Sequence, residues 1–335
     1  MLDPETGDVL DLVGGKADLA AGVIRAIGDP KERFAEDHLR LIRAVRFAAR
    51  FGFTIEPDTG EAIRCLAPDL ATVAPERLRE ELVRLLTEGP PDLGVRMLDD
   101  YGLLPVILPE VSALKGGEQP AEFHPEGDVF VHTLLCLKSL PPGPSPELAM
   151  GALLHDIGKP ATFTRDDRIR FTMHPTVGIR MAREICLRLR FSNQETDQIL
   201  ALVSEHMRFI YVQKMRESTL KRFFRLDRFE EHLALHLADC QSCHGDVSNH
   251  VFCRARLEEF AREQKPLRPL RLVTGDDLIR LGYKPGAGFK TMLEWAEDAQ
   301  LEGRFGTKEE GGALVRQEFP PPVAPSPGSA IGGVP

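Results

Sequence analysis

A chain of 335 residues that is 42% hydrophobic has enough apolar surface for two or three compact domains. No apolar run reaches the roughly 18 residues of a membrane span, and the N-terminus lacks the features of a signal peptide, so we expect a cytoplasmic protein without a membrane partner. The formal net charge of −9 excludes non-specific nucleic-acid binding over the whole surface, and any RNA contact therefore needs a local basic face.

The first 30 residues contain two short candidate strands. Val9 to Val13 and Gly22 to Ile27 are apolar runs bounded by glycines. Two isolated strands do not bury enough surface to be stable alone. We therefore expect them to need a sheet that the rest of this chain does not supply.

From Glu36 onward the apolar residues recur at helical spacing. Leu39, Ile42, Val45 and Ala49 form an apolar stripe. A second stripe beside it consists of Arg40, Arg43, Arg46 and Arg50. The last three of these arginines are expected either to face phosphates or to be solvated. Further helices are predicted at about 57–66, 75–88 and 92–101.

The second half of the chain is also predicted to be helical. Residues 115–127, rich in Gly, Pro and Glu, are interpreted as a linker, and 266–272 as a second linker punctuated by proline. Between the linkers, helices are predicted at 129–140, 146–157, 175–190, 194–208, 217–224, 229–243 and 250–264. A short helical module follows from Thr274 to about Gln317, and the Pro/Gly/Ser-rich end of the chain is expected to be disordered.

The motif HDIGKP, from His155 to Pro160, is the strongest chemical signal. It ends an apolar run that indicates a buried helix, which Gly158 and Pro160 then terminate. A buried His155–Asp156 pair without a partner would carry a large desolvation penalty. A divalent cation would remove that penalty, because imidazole and carboxylate both coordinate such metals.

Further candidate ligands lie in apolar segments along the chain. His132, His206 and Asp239 are predicted on helices, and His174 in a short loop. Together with His155 and Asp156 they would hold one metal, or two metals a few ångströms apart, which would activate a water and clamp a phosphate. Lys159 would meet the phosphate charge. The competing interpretation is that these are core histidines that bond to backbone carbonyls.

Two other ligand sets compete with this one. His232 and His236 share a helical face with Asp239 and are alternative ligands. A zinc site is the second alternative, formed by Cys240, Cys243, His250 and Cys253. The segment Cys240 to His244 also has the spacing of a haem attachment motif, but we expect no haem, since haem attachment normally follows export.

The order His132, His155-Asp156, Asp239 resembles the ligand motif of the HD superfamily of phosphohydrolases. That resemblance implies a helical domain that binds metal, with His155, Asp156 and Lys159 as catalytic residues. It implies a divalent metal such as Mg²⁺, Mn²⁺ or Ni²⁺. The substrate is not implied.

Three further segments resemble the class II tRNA nucleotidyltransferases, the bacterial CCA-adding enzymes and poly(A) polymerases. These segments are residues 11–55, which include GDPKERFAEDHLRLIRAVRFAARF, residues 75–86, PERLREELVRLL, and residues 273–316. The resemblance implies a mainly α protein with four parts: a remnant of a β-containing catalytic palm at 1–30, a helical neck at 31–115, an HD domain at 120–265 and a helical tail module at 266–317. Residues 318–335 are assigned as disordered.

In that family a Glu-Asp-x-x-Arg motif reads the incoming CTP or ATP. Here it is Glu36, Asp37 and Arg40, with Arg43 one turn further on. Asp37 and Arg40 are expected on one helical face, where acceptor and donor groups together can match a base edge. An ordinary ion pair on the helix surface is the alternative.

Members of the family carry an Asp-x-Asp metal pair in the palm, and this chain is expected to begin downstream of it. Asp3-Pro4-Glu5 has a similar spacing but lies in a predicted turn. We therefore expect a protein of tRNA 3′-end processing that has lost nucleotidyl transfer unless the palm is supplied elsewhere, and that retains metal-dependent phosphohydrolase activity. The alternative is a non-catalytic tRNA-binding partner of a separate palm. CCA addition and A-only addition both stay open, and no oligomeric state is predicted.

Overall fold

The computed structural model describes residues 5–6, 11–119 and 127–320, and these are mainly α-helical, as predicted. They form two compact units. The first contains the residues up to Ile210 together with Asp227–Val251, and the second contains Tyr211–Leu226 together with the residues from Phe252 onward. The predicted disordered end, except for residues 318–320, lies outside the described residues, as does most of the linker at 115–127.

The N-terminal part of the first unit is built from short helices around α3. Its elements are α1 (Gly15–Ala21), β1 (Val23–Ile24), α2 (Pro30–Ala35), α3 (Leu39–Phe51), β2 (Thr54–Ile55), α4 (Pro57–Leu66), a 3₁₀ helix (Ala67–Thr72), α5 (Pro75–Thr87), α6 (Pro91–Asp100), α7 (Leu104–Ile107) and α8 (Pro109–Ser112). Proline is the first residue of α2, α4, α5 and α6, where its missing N–H needs no partner.

The predicted N-terminal strands are only partly correct. Val9 and Leu10 lie outside the described residues, and Asp11–Val13 form a turn, because the Asp11 carboxylate accepts the backbone N–H groups of Val13, Gly15 and Lys16. Gly22–Ile27 shortens to β1. The partner of β1 is β2, in parallel register with Val23 opposite Thr54. The expectation that this strand needs a sheet from elsewhere is therefore wrong.

The remaining helices follow in chain order. They are α9 (Val129–Lys138), α10 (Pro146–Leu154), α11 (His174–Arg188), α12 (Asn193–Glu205), α13 (Glu217–Phe223), α14 (Phe229–Ser242), α15 (Ser248–Arg262), α16 (Gly275–Arg280), α17 (Ala287–Leu301) and α18 (Lys308–Glu318), with 3₁₀ helices at Pro160–Thr162 and His206–Lys214. Between α10 and α11 lies an antiparallel hairpin that the sequence analysis did not predict, formed by β3 (Phe163–Arg165) and β4 (Ile169–Phe171).

One continuous hydrophobic core fills the first unit. It includes Ile42 and Leu82 from the N-terminal helices and Leu134, Leu153 and Leu202 from the segment after residue 127. The two segments on either side of the predicted boundary near 115–120 therefore share one core. The domain boundaries given in the sequence analysis stay predictions. The second unit has its own core, which includes Leu278, Ala299 and Phe305. Among the described residues no helix is both long enough and apolar enough to cross a bilayer.

A candidate metal centre in the first unit

Five helices of the first unit direct histidine and aspartate side chains to one buried point. His132 lies on α9, His155 and Asp156 follow the end of α10, His174 begins α11, His206 follows α12, and Asp239 lies on α14. The four histidines and Asp156 are at most 6% exposed, and the Asp239 side chain is 22% exposed. The structure therefore brings together all six residues that the sequence analysis named as ligands. His174 is on a helix and not in the predicted loop, because Pro175 fits the first turn of α11.

The six side chains form two adjacent groups. In the first group, the Nε2 atom of His132 lies 3.1 Å from Asp239 Oδ1 and 3.3 Å from His155 Nε2. In the second group, the Nε2 atoms of His174 and His206 lie 3.3 Å apart. Asp156 connects them, since its Oδ2 lies 3.2 Å from His155 Nε2 and its Oδ1 lies 3.4 Å from His174 Nε2.

The hydrogen bonds of the outward-facing ring nitrogens define the tautomers. The Nδ1 atoms of His155, His174 and His206 lie 2.8, 3.0 and 2.8 Å from the carbonyl oxygens of Ala152, Phe171 and Val203, respectively. Because a carbonyl only accepts, Nδ1 carries the proton in each neutral ring. The Nε2 lone pairs then point into the centre. This arrangement is typical of metal-ligating histidines.

Two lone pairs that face each other repel unless a cation or a proton lies between them. That is the situation of His174 and His206, whose Nε2 atoms are 3.3 Å apart. Protonation is disfavoured, since burial and then the neighbouring His155 lower the pKa of His206 to about 4. A metal ion satisfies both nitrogens at once, and the neutral imidazoles and ionised carboxylates present here form a donor set that suits it.

The electrostatic balance keeps both carboxylates ionised. Burial alone would raise the pKa of Asp156, but the ammonium charge of Lys159, together with the contact with His155, outweighs burial and holds that pKa well below its ordinary value. For Asp239, burial is likewise outweighed by the hydrogen bond with His132 and by His155, and its pKa is lowered. Lys159 Nζ lies 2.7 Å from Asp156 Oδ2, so its ammonium group is at the edge of the centre.

Two polar residues at this centre were missed by the sequence analysis. Gln119 is 3% exposed, and its Oε1 accepts a hydrogen bond of 2.5 Å from Lys159 Nζ, while its Nε2 has no hydrogen-bond partner among the described residues. Ser242 Oγ lies 3.3 Å from His132 Nδ1. The sequence did not indicate a role at this centre for either residue. Gln119 was assigned to a linker, and Ser242 lies within the segment that resembles a haem attachment motif.

The alternative ligand sets are not assembled. Among the described residues, the groups of three or more side chains placed to hold a metal are His132, His155 and Asp239 and, beside them, Asp156, His174 and His206. His236 instead stacks on Phe209 with ring centroids 4.2 Å apart, and His232 stacks on Phe229 at 6.3 Å. The predicted zinc set of Cys240, Cys243, His250 and Cys253 does not come together. The alternatives are therefore wrong.

The residues predicted to read a nucleotide lie at the junction of α2 and α3. Asp37 precedes α3, where its Oδ1 accepts the backbone N–H of Leu39, so it does not share a helical face with Arg40 as predicted. Arg40 Nη1 donates to Glu36 Oε2 at 2.5 Å, and Asp37 Oδ2 lies 2.9 Å from Arg77 Nη2. Arg77 had not been predicted to take part in this cluster.

Arg43, Arg46 and Arg50 of α3 face α5, and both expectations for the stripe fail for Arg46, whereas the Arg43 and Arg50 side chains are 43% and 41% exposed. Arg43 Nε and Arg46 Nε each donate to one oxygen of Glu81, at 2.8 Å, and Arg50 Nη1 donates to Glu88 at 2.5 Å. Arg46 is 5% exposed. The stripe therefore joins two helices, and Arg46 is not available to a phosphate.

Two protein-family models match parts of this chain. A model described as "Probable RNA and SrmB- binding site of polymerase A" matches residues 52–115, and the HD domain model matches residues 132–232. The chain is 34% identical over 325 residues to the CC-adding tRNA nucleotidyltransferase of Thermus thermophilus, covering 92% of this chain and 72% of that protein. It is 32% identical over 329 residues to the A-adding tRNA nucleotidyltransferase of Deinococcus radiodurans, covering 92% and 74%.

Other relatives are matched over a smaller share of their length. The multifunctional CCA protein of Laribacter hongkongensis is 38% identical over 228 residues, which span 55% of that protein. In fold, the chain is similar to the Bacillus stearothermophilus CCA-adding enzyme solved with CTP, with a TM-score of 0.66 at 23% identity, covering 93% of this chain and 69% of that one. The Thermotoga maritima CCA-adding enzyme complexed with tRNA gives a TM-score of 0.55 at 19% identity, covering 92% and 67%.

Proposed function

This chain belongs to the class II CCA tRNA nucleotidyltransferase family, and from that premise we propose that its HD segment is a metal-dependent phosphohydrolase that acts on nucleotide or RNA phosphoesters. The observation that carries the proposal is the pair of Nε2 atoms of His174 and His206, 3.3 Å apart with both protons directed outward. Such a pair favours the binding of a divalent cation. Because Asp156 also contacts the group formed by His132, His155 and Asp239, the centre could bind two cations.

The chain's own residues have distinct roles in this proposal. The first cation would be held by His132, His155, Asp156 and Asp239. A second cation would be held by Asp156, His174 and His206. When bound, the metal lowers the pKa of a water and neutralises phosphate charge. Lys159 binds a phosphate oxygen, and Gln119 positions the Lys159 ammonium group. We propose 2′,3′-cyclic or terminal phosphates as substrates, and Mg²⁺, Mn²⁺ or Ni²⁺ as the metal.

The hydrolysis of bis-p-nitrophenyl phosphate and of 2′,3′-cAMP, with each of these three metals, tests the proposal. We expect turnover that EDTA abolishes and that Asp156→Ala reduces by at least about a hundredfold, since one carboxylate serves both groups of ligands. Asp166→Ala is the matched control, because Asp166 is 79% exposed in the β3–β4 hairpin. No turnover with any metal, or equal turnover in both variants, would refute the proposal.

A second function, tRNA binding, is favoured by the match of residues 52–115 to an RNA-binding model. We propose that the N-terminal helices bind the 3′ end of tRNA and that Glu36, Asp37, Arg40 and Arg43 bind CTP or ATP. Nucleotidyl transfer is assigned in this proposal to a palm with an Asp-x-Asp pair. The Asp-x-Asp pattern does not occur in these 335 residues. CCA addition and A-only addition both remain compatible with it.

A tRNA gel shift tests the binding function. Arg84 and Arg96 are exposed on α5 and α6 within the matched segment. We expect Arg84→Ala with Arg96→Ala to weaken tRNA binding and to reduce its dependence on salt, because fewer counterions are released. The control is Arg168→Ala, an exposed arginine outside the segment. Equal affinity in the double variant and the wild type would contradict this assignment.

A further inference from the structure

A pair of phenylalanines lies at the base of the β3–β4 hairpin, which connects the HDIGKP segment to α11. Phe163 is the first residue of β3 and Phe171 the last residue of β4, and the two are directly opposite each other in the antiparallel register. Their ring centroids lie 6.0 Å apart, with the ring planes tilted by 55°. Residues opposite each other project to the same face of a sheet, so both rings lie on one face of the hairpin.

This aromatic pair is not part of the core. Neither phenylalanine belongs to the hydrophobic core of the first unit, and Phe163 is 42% exposed. The contact with Phe171 therefore covers only part of the Phe163 ring. A flat apolar group is left open to solvent at the end of the hairpin that is nearest to the HDIGKP segment.

Lys159 connects the aromatic pair to the candidate metal centre. Its Nζ atom lies 2.7 Å from Asp156 Oδ2 and 5.3 Å from the centroid of the Phe171 ring. An ammonium group over an aromatic ring is attracted by the π electrons, so this contact favours one position of Phe171 relative to Lys159. A phosphate that contacts Lys159 therefore lies beside the aromatic pair.

The hairpin is also tied to a ligand of the centre. The carbonyl oxygen of Phe171 lies 3.0 Å from His174 Nδ1 and accepts its proton. Met173, between these two residues, has φ 66°, a left-handed conformation that is uncommon for a residue with a side chain. Strained backbone of this kind is found more often at functional sites than elsewhere. The position of the aromatic pair is thus determined relative to His174.

Gln119 provides a separate indication that a ligand binds next to Lys159. It is 3% exposed, and its Oε1 accepts a hydrogen bond from Lys159 Nζ, whereas its Nε2 has no hydrogen-bond partner among the described residues. A buried donor without an acceptor carries a free-energy penalty. An oxygen of a ribose or of a phosphate beside Lys159 would remove it.

We infer that Phe163 stacks on the nucleobase of the substrate, so that the centre acts on a nucleotide whose base is unpaired. This inference rests on the proposed hydrolysis and assigns its substrate class. With the phosphate at Lys159, the ribose lies against Phe171 and the base reaches the open part of the Phe163 ring. Every base has a π face, so such stacking discriminates little between the four bases. A base within a duplex has both faces covered and is excluded.

The test compares two substrates with Mn²⁺ bound to the full chain. One is 2′,3′-cAMP, and the other is the cyclic phosphate of 1,4-anhydroerythritol, which has the five-membered sugar ring but no base. Phe163→Leu keeps an apolar contact with Phe171 but removes the aromatic plane. The matched control is Thr164→Ala, since Thr164 is exposed and adjacent in the strand but projects to the other face.

We expect Phe163→Leu to raise KM for 2′,3′-cAMP about tenfold, within the range of base stacking, with kcat little changed. KM for the base-free substrate should stay at the wild-type value, and so should both values in Thr164→Ala. Phe163→Tyr should restore the KM for 2′,3′-cAMP. Equal KM values for 2′,3′-cAMP in Phe163→Leu and the wild type would overturn the inference. So would an equal loss with both substrates, because Phe163 would then act on the metal centre.

A second measurement does not require turnover. Stacking on a nucleobase quenches indole fluorescence, and the single tryptophan of the chain, Trp295, belongs to the second unit. We expect 2′,3′-cAMP to quench Phe163→Trp more than the wild type, and the base-free substrate to quench neither. If the wild type hydrolyses neither substrate, the proposed hydrolysis is wrong, and the quenching alone decides whether a base contacts the hairpin. Equal quenching in Phe163→Trp and the wild type would overturn the inference.

Discussion

Gly158 determines how closely the His155–Asp156 pair approaches the first turn of α11. A Cβ atom at this position would lie 2.2 Å from the carbonyl oxygen of His174 and 2.8 Å from the backbone nitrogen of Gly178. Both neighbours are backbone atoms, which cannot move aside as a flexible side chain can. The absence of a side chain at Gly158 therefore allows Asp156 to reach the ligands on α11.

Gly158→Ala is expected to destabilise the protein by about 1–3 kcal/mol, the usual penalty for overpacking a core, and to weaken metal binding. Urea denaturation and Mn²⁺ titration measure the two effects. Gly275→Ala is the control, because a Cβ there meets nothing within 4 Å. Wild-type stability and metal affinity in Gly158→Ala would show that the close approach has no energetic role.

Gln119 and Asp156 both contact the Lys159 ammonium group, at 2.5 and 2.7 Å. Gln119→Leu is expected to lower kcat for phosphoester hydrolysis about 10–100-fold, as loss of an outer hydrogen bond at a metal site does, with little change in metal affinity because Gln119 is not a ligand. Glu118→Gln, at a neighbouring residue that is 57% exposed, is the control. Unchanged kcat in Gln119→Leu would mean that Lys159 needs no such support.

At the scale of single residues, the sequence predicted which six side chains converge but not the residues that surround them. His155 and Asp156 are adjacent in a recognisable motif, and the other ligands stand out as polar residues in apolar helices. Gln119 could not be found in this way, since its partner Lys159 is 40 residues away. The pairing of Arg43 and Arg46 with Glu81 was missed for the same reason, because it depends on how α3 packs against α5.

Among the secondary-structure elements, the helices were predicted well and the short strands poorly. The predicted helix at 57–66 corresponds to α4 and that at 75–88 to α5, because proline marks each start and apolar residues recur at helical spacing. β1 and β2 have two residues each, too few for an alternating pattern, and the ends of β3 and β4 depend on their pairing with each other. Such elements exist only through tertiary contacts.

Helix α14 carries the buried histidine His232 as well as the candidate ligand Asp239, and this histidine makes the stability of the protein depend on pH. Burial lowers the pKa of His232 to about 4, and neither ring nitrogen has a hydrogen-bond partner among the described residues. The unfolded chain, with an ordinary histidine pKa of about 6.5, binds the proton more readily. Between these two values the folded state takes up fewer protons than the unfolded state, so stability falls as the pH falls from about 6.5 to about 4.

His232→Leu removes this penalty. We expect the wild type to lose on the order of 1–2 kcal/mol of stability through His232 between pH 7 and pH 5, and the variant to lose correspondingly less. Denaturant unfolding at both pH values measures the difference. His38→Leu, at a histidine whose side chain is 24% exposed, is the control. Parallel pH profiles for His232→Leu and the wild type would contradict the assignment.

For the whole chain, the shared core of the first unit links the metal centre to the N-terminal helices. Ile42 of α3 and Leu153 of α10 belong to the same core, so the two segments are expected to unfold together. A cation that binds this centre only in the folded state would add about 2.7 kcal/mol to the free energy of unfolding at 100 times its Kd. The stabilisation should therefore extend to α3.

Hydrogen exchange with Mn²⁺ and with EDTA measures this linkage. We expect metal to slow exchange at the amides of α3 as well as at those of α9, α10 and α14, and Asp156→Ala to abolish both effects. Protection confined to the helices that carry ligands would show that the first unit does not unfold as one cooperative body.

The central claim is that six side chains from five helices bind a shared cation or pair of cations. Anomalous scattering from crystals of the protein grown with Mn²⁺ tests it most directly. We expect a manganese peak within coordination distance of the Nε2 atoms of His132 and His155 and of the carboxylates of Asp156 and Asp239. A second ion, where present, is expected between Asp156, His174 and His206. Crystals that show no manganese there, or manganese only at other sites, would contradict it.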